Sequence, residues 1–104
     1  MRFVGILFIC IATLLNGCVI SNRMNFEEGI RSFQIQNYRE AFIRLMPIAK
    51  AGNPDAQYAV GYMYYYGEGV VENREKAWYW IKCAAKSGQA DAVRAMQILT
   101  PPVK

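Results

Sequence analysis

The segment Ala49-Lys50-Ala51-Gly52-Asn53-Pro54-Asp55-Ala56 returns 36 residues later as Ala85-Lys86-Ser87-Gly88-Gln89-Ala90-Asp91-Ala92. A recurrence at fixed period marks one supersecondary unit stacked on a copy of itself, each burying its apolar face on the next. The same offset pairs Arg39-Glu40-Ala41-Phe42 with Glu75-Lys76-Ala77-Trp78, and Pro47 with Cys83. Upstream, Gly29-Ile30-Arg31-Ser32-Phe33 lines up with Gly61-Tyr62-Met63-Tyr64-Tyr65 at an offset of 32. The second copy therefore has a longer internal turn, around Gly67-Glu68-Gly69-Val70.

Within each copy the apolar spacing is helical. Phe26, Ile30 and Phe33 predict a first helix from about Asn25 to Gln36. Ala41, Leu45, Ile48 and Ala49 share one face of a second, from Tyr38 to Ala51, which Pro47 should bend or loosen. Gly52 is a stop, Asn53 an N-cap, and Pro54 sits at the first helical position, where its missing N–H costs little. Helix three then runs from Pro54 to Tyr66 with Ala56, Val60, Met63 and Tyr64 inward, and Gly67 and Gly69 break it. Asn73 caps helix four, whose inner stripe is Ala77, Ile81, Ala84 and Ala85 and whose stop is Gly88. Helix five spans Ala90 to Leu99, carries Ala92, Ala95, Met96 and Leu99, and ends before Pro101-Pro102. Strict two-residue alternation never lasts long enough for a strand.

The N-terminus has a different character. Arg2 precedes an almost uncharged apolar run from Phe3 to Leu15, and a small residue, Gly17, stands before Cys18. This is the layout of a secretory signal. The run is short for a membrane-spanning helix, which needs about 20 apolar residues. The ending Leu15-Asn16-Gly17-Cys18 resembles the lipobox of bacterial lipoproteins. That resemblance implies cleavage before Cys18, a diacylglycerol on its thioether, and, with Val19 following, retention at the outer membrane. The alternative is an uncleaved anchor. Removing residues 1–17 from the 104 leaves one small domain with a mild positive charge, its lysines and arginines scattered among acids. Such a pattern reads as a solvated surface rather than a nucleic-acid site. Cys10 leaves with the signal and Cys18 is capped, so Cys83 stands alone and no internal disulfide forms. A lone cysteine in a helical pattern is read as a small buried hydrophobe.

Helices three and four are similar to a Sel1-like repeat, a relative of the tetratricopeptide repeat. The residues are Ala56-Gln57-Tyr58-Ala59-Val60-Gly61, Tyr64, Gly67-Glu68-Gly69-Val70, Glu75-Lys76-Ala77, Trp80, and Ala84-Ala85 with Gly88. The resemblance implies an all-α fold, a short α-solenoid of antiparallel helix pairs. Residues 1–17 are then a lipoprotein signal peptide and 18–23 a lipidated tether. Residues 24–52 form a degenerate unit, 53–88 the Sel1-like repeat, and 89–104 a capping helix and tail. Gly61 lets a neighbouring helix approach, as do Ala77, Ala84 and Ala85. Tyr64 and Trp80 fill the gaps, and Gly67 and Gly69 supply backbone angles that a β-carbon resists.

The usual chemistry of an enzyme is missing. The chain has no histidine. Ser21, Ser32 and Ser87 lie in no nucleophile motif. Gly67-Glu68-Gly69 lacks the spacing and the lysine-serine ending of a phosphate loop. Glu27-Glu28, Glu72 and Glu75 are read as helix-start acids that offset the dipole. No metal cluster and no cofactor site is expected. A cysteine-rich branch of the Sel1-like family is linked to β-lactams, but its helix pairs are stapled by disulfides that this chain cannot form.

The function is therefore expected in a surface. In the resembling family, the first helices of the pairs line a concave groove that binds proteins, here helices one, three and five. Tyr62 and Tyr66, one turn apart on helix three, are the candidate binding residues, since tyrosine suits a surface half apolar and half wet. Trp78 or Tyr79 would form a second apolar patch on the convex side. The leading reading is a lipid-anchored envelope adaptor, an accessory subunit of a secretion or envelope assembly; by resemblance a host-interaction role also fits. The alternative is an envelope enzyme or regulator acting on peptidoglycan or β-lactams. Two units and one cap fall short of the three that solenoids usually need. The domain should thus be marginal alone and complete its stack on a partner or a second copy. A tether from Val19 to Arg23 would reach only about 15–18 Å, which keeps the groove close to the membrane.

Overall fold

The computed structural model describes residues 22–102, which form five helices and no strand. Helix α1 covers 22–34. It is followed by α2 (Tyr38–Lys50), α3 (Pro54–Tyr66), α4 (Arg74–Lys86) and α5 (Ala90–Ile98). The connections are short, so consecutive helices fold back on one another. α3 packs on both α2 and α4, and α4 packs on α5. The architecture is a short helical solenoid of antiparallel pairs, as expected from the repeat. Among the described residues no helix is long and apolar enough to cross a membrane.

Local chemistry sets the helix ends. Asn53 Oδ1 accepts the Ala56 N–H at 3.0 Å, Pro54 follows it, and Gly67 closes α3 in the left-handed region at φ +68°. Asn73 Oδ1 accepts the Lys76 N–H at 3.0 Å to start α4, and Gly88 beyond its end has φ +83°. A cap not anticipated is Gln89, whose Oε1 takes the Ala92 N–H at 2.6 Å and starts α5. The stop after α1 is also unexpected. Gln36 adopts φ +65° while its N–H donates to the Phe33 carbonyl and that of Asn37 to the Ser32 carbonyl. A side chain occupies the position where glycine is the usual choice. α2 continues through Pro47 to Lys50. The Ile43 carbonyl that Pro47 leaves without a donor belongs to an exposed turn.

Two expectations are corrected. Asn22 and Arg23, read as tether, are already helical. Glu27 and Glu28 consequently lie inside α1 rather than at its start. Glu27 pairs with Arg23 one turn away at 3.5 Å, and Glu28 reaches across to Arg44 of α2 at 2.8 Å. Glu28 ties α1 to α2 and Glu27 pairs within α1, instead of offsetting a dipole. Cys10, Cys18 and the apolar leader lie outside the described residues.

The core is built from small residues with a few large ones between them. Ala41, Leu45, Ala49, Ala56, Ala59, Val60, Met63 and Trp80 form one buried cluster, over which Phe26, Ile30 and Phe33 of α1 close. Ile81, Ala84, Ala92 and Ala95 form a second, between α4 and α5. Trp80 reaches from α4 into the first cluster and so joins the two units. The glycines permit this closeness. A β-carbon on Gly61 would lie 2.6 Å from Ile81 Cγ1, and one on Gly29 would lie 2.6 Å from Leu45 Cδ2. Leu45 and Ile81 are equivalent at the repeat offset, so the degenerate unit keeps the contact that sets helix spacing.

Candidate functional site: a concave aromatic groove

The first helices of the stack, α1, α3 and α5, line one face. Two adjoining hollows run along it. One, of about 410 Å³, lies between Phe26, Ile30 and Phe33 of α1, Tyr58 of α3, and Gln89 and Asp91 at the start of α5. The other, of about 180 Å³, lies between Tyr58, Tyr62 and Tyr66 of α3 and Asp91, Arg94, Ile98 and Leu99 at α5. Tyr58 and Asp91 belong to both, so the hollows are one groove.

Its floor is a ladder of phenols. Tyr58, Tyr62 and Tyr66 recur every four residues, which places them on one side of α3. Successive ring centroids are 6.5 and 4.8 Å apart. Phe33 of α1 meets the Tyr62 ring edge-on at 5.2 Å, and Tyr38 of α2 stacks on it at 6.5 Å. The expected ligand residues therefore differ. Tyr66 is 52% exposed, whereas Tyr62 is half-buried among four aromatic neighbours. Burial raises the Tyr62 phenol above its usual value, helped by the neighbouring Tyr38 hydroxyl and by Glu68. Burial likewise raises Tyr58, with the nearby Asp91 carboxylate adding to it. Both hydroxyls stay protonated at neutral pH and can donate hydrogen bonds to an occupant. Rigid aromatic walls with a few polar tips are the make-up of a protein-binding surface.

Trp78 sits elsewhere. It is half-buried on α4, and its indole N–H donates to the Thr100 carbonyl at 2.9 Å. That bond holds the segment after α5 against the start of α4. Of the two aromatic candidates for the convex patch, Tyr79 is the exposed one, at 61%. Of the repeat residues, Ala56, Gly61, Ala77, Trp80 and Ala84 are buried, Tyr64 and Ala85 are half-buried, and Gly88 lies in an exposed turn. Tyr64 packs edge-on against Phe42 of α2 at 5.4 Å.

Two features were not foreseen. Gln57 is buried, and its Nε2 donates to the Ala49 carbonyl at 3.1 Å, tying α3 to the end of α2. A polar residue on the expected inner side of α3 was the signal. The longer internal turn also has a task. A β-carbon on Gly69, at φ +73°, would lie 2.6 Å from the Tyr38 carbonyl carbon. The turn thus lies backbone to backbone on the start of α2, and only glycine satisfies both the angle and the approach. Cys83 is a free thiol, half-buried on α4. Among the described residues no group of three His, Cys, Asp or Glu side chains could hold a metal ion.

The model of the Sel1 repeat matches residues 54–89, which is α3, the glycine turn, α4 and its stop. The chain carries a Sel1 repeat. A curated relative agrees: the chitin synthase regulator SKT5 of Saccharomyces cerevisiae is 38% identical over 58 residues. The match covers 56% of this chain and 8% of the length of the yeast protein. No solved structure matches the chain. Sel1 repeats are generally protein–protein interaction modules and typically non-enzymatic scaffolds. The groove on α1, α3 and α5 is therefore the surface of this Sel1-repeat chain with the best claim to a partner.

Proposed function

We propose that this chain is a membrane-anchored adaptor of the bacterial envelope that binds a protein segment in the groove between α1, α3 and α5. The observation that carries the reading is the phenol ladder of Tyr58, Tyr62 and Tyr66, open to solvent at Tyr66 and walled by α5. The anchor is a lipid on Cys18, and the site of action is the outer membrane, facing the periplasm. The relative's role as a regulator of an enzyme favours an accessory function over a catalytic one. Two units and a cap leave the stack short, so the partner, or a second copy, completes it.

The test is site-specific photocrosslinking in cells from the full chain, with the photoreactive residue at position 66 and, as control, at the exposed loop position Val71. One discrete adduct from position 66, absent from position 71 and lost on Tyr62→Ala, is expected. Equal adducts from both positions, or turnover of a cell-wall substrate by the purified protein, would refute the adaptor. Cys18→Ala is expected to release the chain from membranes, and continued attachment would sink the lipid anchor.

A further inference from the structure

The side of the molecule away from the groove carries a second repeated pattern. On α2, Arg39, Ile43 and Lys50 stand exposed at helical spacing, away from the buried Ala41, Leu45 and Ala49, with the half-buried Met46 between them packing on the core. On α4 the equivalent residues are Glu75, Tyr79, Lys82 and Lys86, opposite the buried Ala77, Ile81 and Ala84. Equivalent positions of stacked units face the same way. Ile43 and Tyr79 occupy the same repeat position, and both stand out into solvent, at 60% and 61% exposure. Arg39, Lys50, Lys82 and Lys86 surround them, all exposed.

Charge divides between the two helix layers. α2 and α4 hold seven of the ten lysines and arginines of residues 22–102 and two of the eight acids. α1, α3 and α5 hold three of those cations and four of the acids. Arg44 is paired with Glu28 and Glu40, and Arg74 with Glu72. None of the four cations of the outer stripe has a carboxylate within 4 Å among the described residues.

We propose that this outer stripe seats on anionic lipid headgroups, with the groove turned away from the bilayer. Cations alone would suit any polyanion. The exposed isoleucine and tyrosine between them decide for lipid, because an isoleucine gains from the acyl boundary and a tyrosine ring is at home at headgroup level. Each lysine or arginine near an anionic membrane strengthens the attraction about fivefold. The inference rests on the membrane-anchored reading above for a bilayer being within reach, but the stripe itself owes nothing to Cys18.

The experiment is amine acetylation of the full chain on vesicles, read lysine by lysine by mass spectrometry. Vesicles of phosphatidylcholine alone are compared with vesicles that also contain phosphatidylglycerol. Lys50, Lys82 and Lys86 should acetylate several-fold more slowly on the anionic vesicles, while Lys76, turned toward Tyr64 and off the stripe, keeps its rate. Lys82→Gln with Lys86→Gln should weaken seating about 25-fold and remove the protection at Lys50. Ile43→Ser with Tyr79→Ser should remove it too. Equal acetylation on both vesicles overturns the proposal. So does protection by double-stranded DNA without protection by vesicles, or full protection in the Ile43→Ser, Tyr79→Ser variant. Both vesicles receive the same chain, so the comparison does not depend on the lipid at Cys18. The adduct at position 66 reports the groove separately.

Discussion

Gly61 of α3 faces Ile81 of α4 so closely that a β-carbon on the glycine would lie 2.6 Å from Ile81 Cγ1 and 3.1 Å from the Ala77 carbonyl oxygen. The side-chain atom can move, but the carbonyl belongs to the helix. Gly61→Ala should therefore push the two helices apart and cost about 1–3 kcal/mol, the usual range for overpacking. Gly29→Ala meets only side chains, Leu45 and Arg44, and should cost less. Urea unfolding followed by circular dichroism ranks the two. Ile81→Ala removes the crowded Cγ1, so its loss and that of Gly61→Ala should be less than additive in the double variant.

The glycines of the turns separate angle from space. Gly52 has φ +104° with open space around its missing side chain, whereas Gly69 combines φ +73° with the backbone of Tyr38 and Arg39 at 2.6–2.7 Å. Gly52→Ala carries conformational strain alone, about 1–2 kcal/mol. Gly69→Ala should exceed it, because the turn must also lift off α2. Thermal melts of the two variants measured side by side test the order, and equal losses would show that the loop can shift at no cost.

Gln36 offers the reverse case. It holds φ +65°, a conformation that disfavours a β-carbon. Gln36→Gly should raise stability by about 0.5–1 kcal/mol, after allowance for the entropy that glycine adds to the unfolded chain. The same urea titration reads the gain.

The tyrosine ladder makes stability depend on alkali. Burial raises the Tyr58 and Tyr62 phenols above the usual tyrosine value of 10.0. The folded state then holds those protons more tightly than the unfolded chain does. Their contribution is complete below pH 10 and is lost as pH rises through the folded values. Melting temperatures should fall more steeply above pH 10 for the native protein than for Tyr62→Phe. Phenolate absorbance at 295 nm should show a fraction of the seven tyrosines titrating late.

The helix boundaries were legible because they are local. Asn53 before Pro54, Asn73, and the glycines 52, 67 and 88 act on neighbours within a few residues. The inward stripes were legible because helical spacing and the 36-residue offset apply the same test twice. The caps that no rule anticipated, Gln36 and Gln89, use side chains that are not usual at those positions.

What the sequence alone determined, then, was an all-helical repeat with a known inner side, since periodicity needs no partner to be read. Tertiary structure decided which aromatic residues remain available. Phe33 and Tyr38, far away in sequence, lean on Tyr62 and half-bury it, while Tyr66 one turn further stays open. Thr100, 22 residues beyond Trp78, takes up its N–H and leaves Tyr79 as the exposed ring. Glu28 finds Arg44 on the next helix. These outcomes depend on contacts between segments whose approach is set by the packing of Gly29 on Leu45 and Gly61 on Ile81. No local spacing encodes that approach.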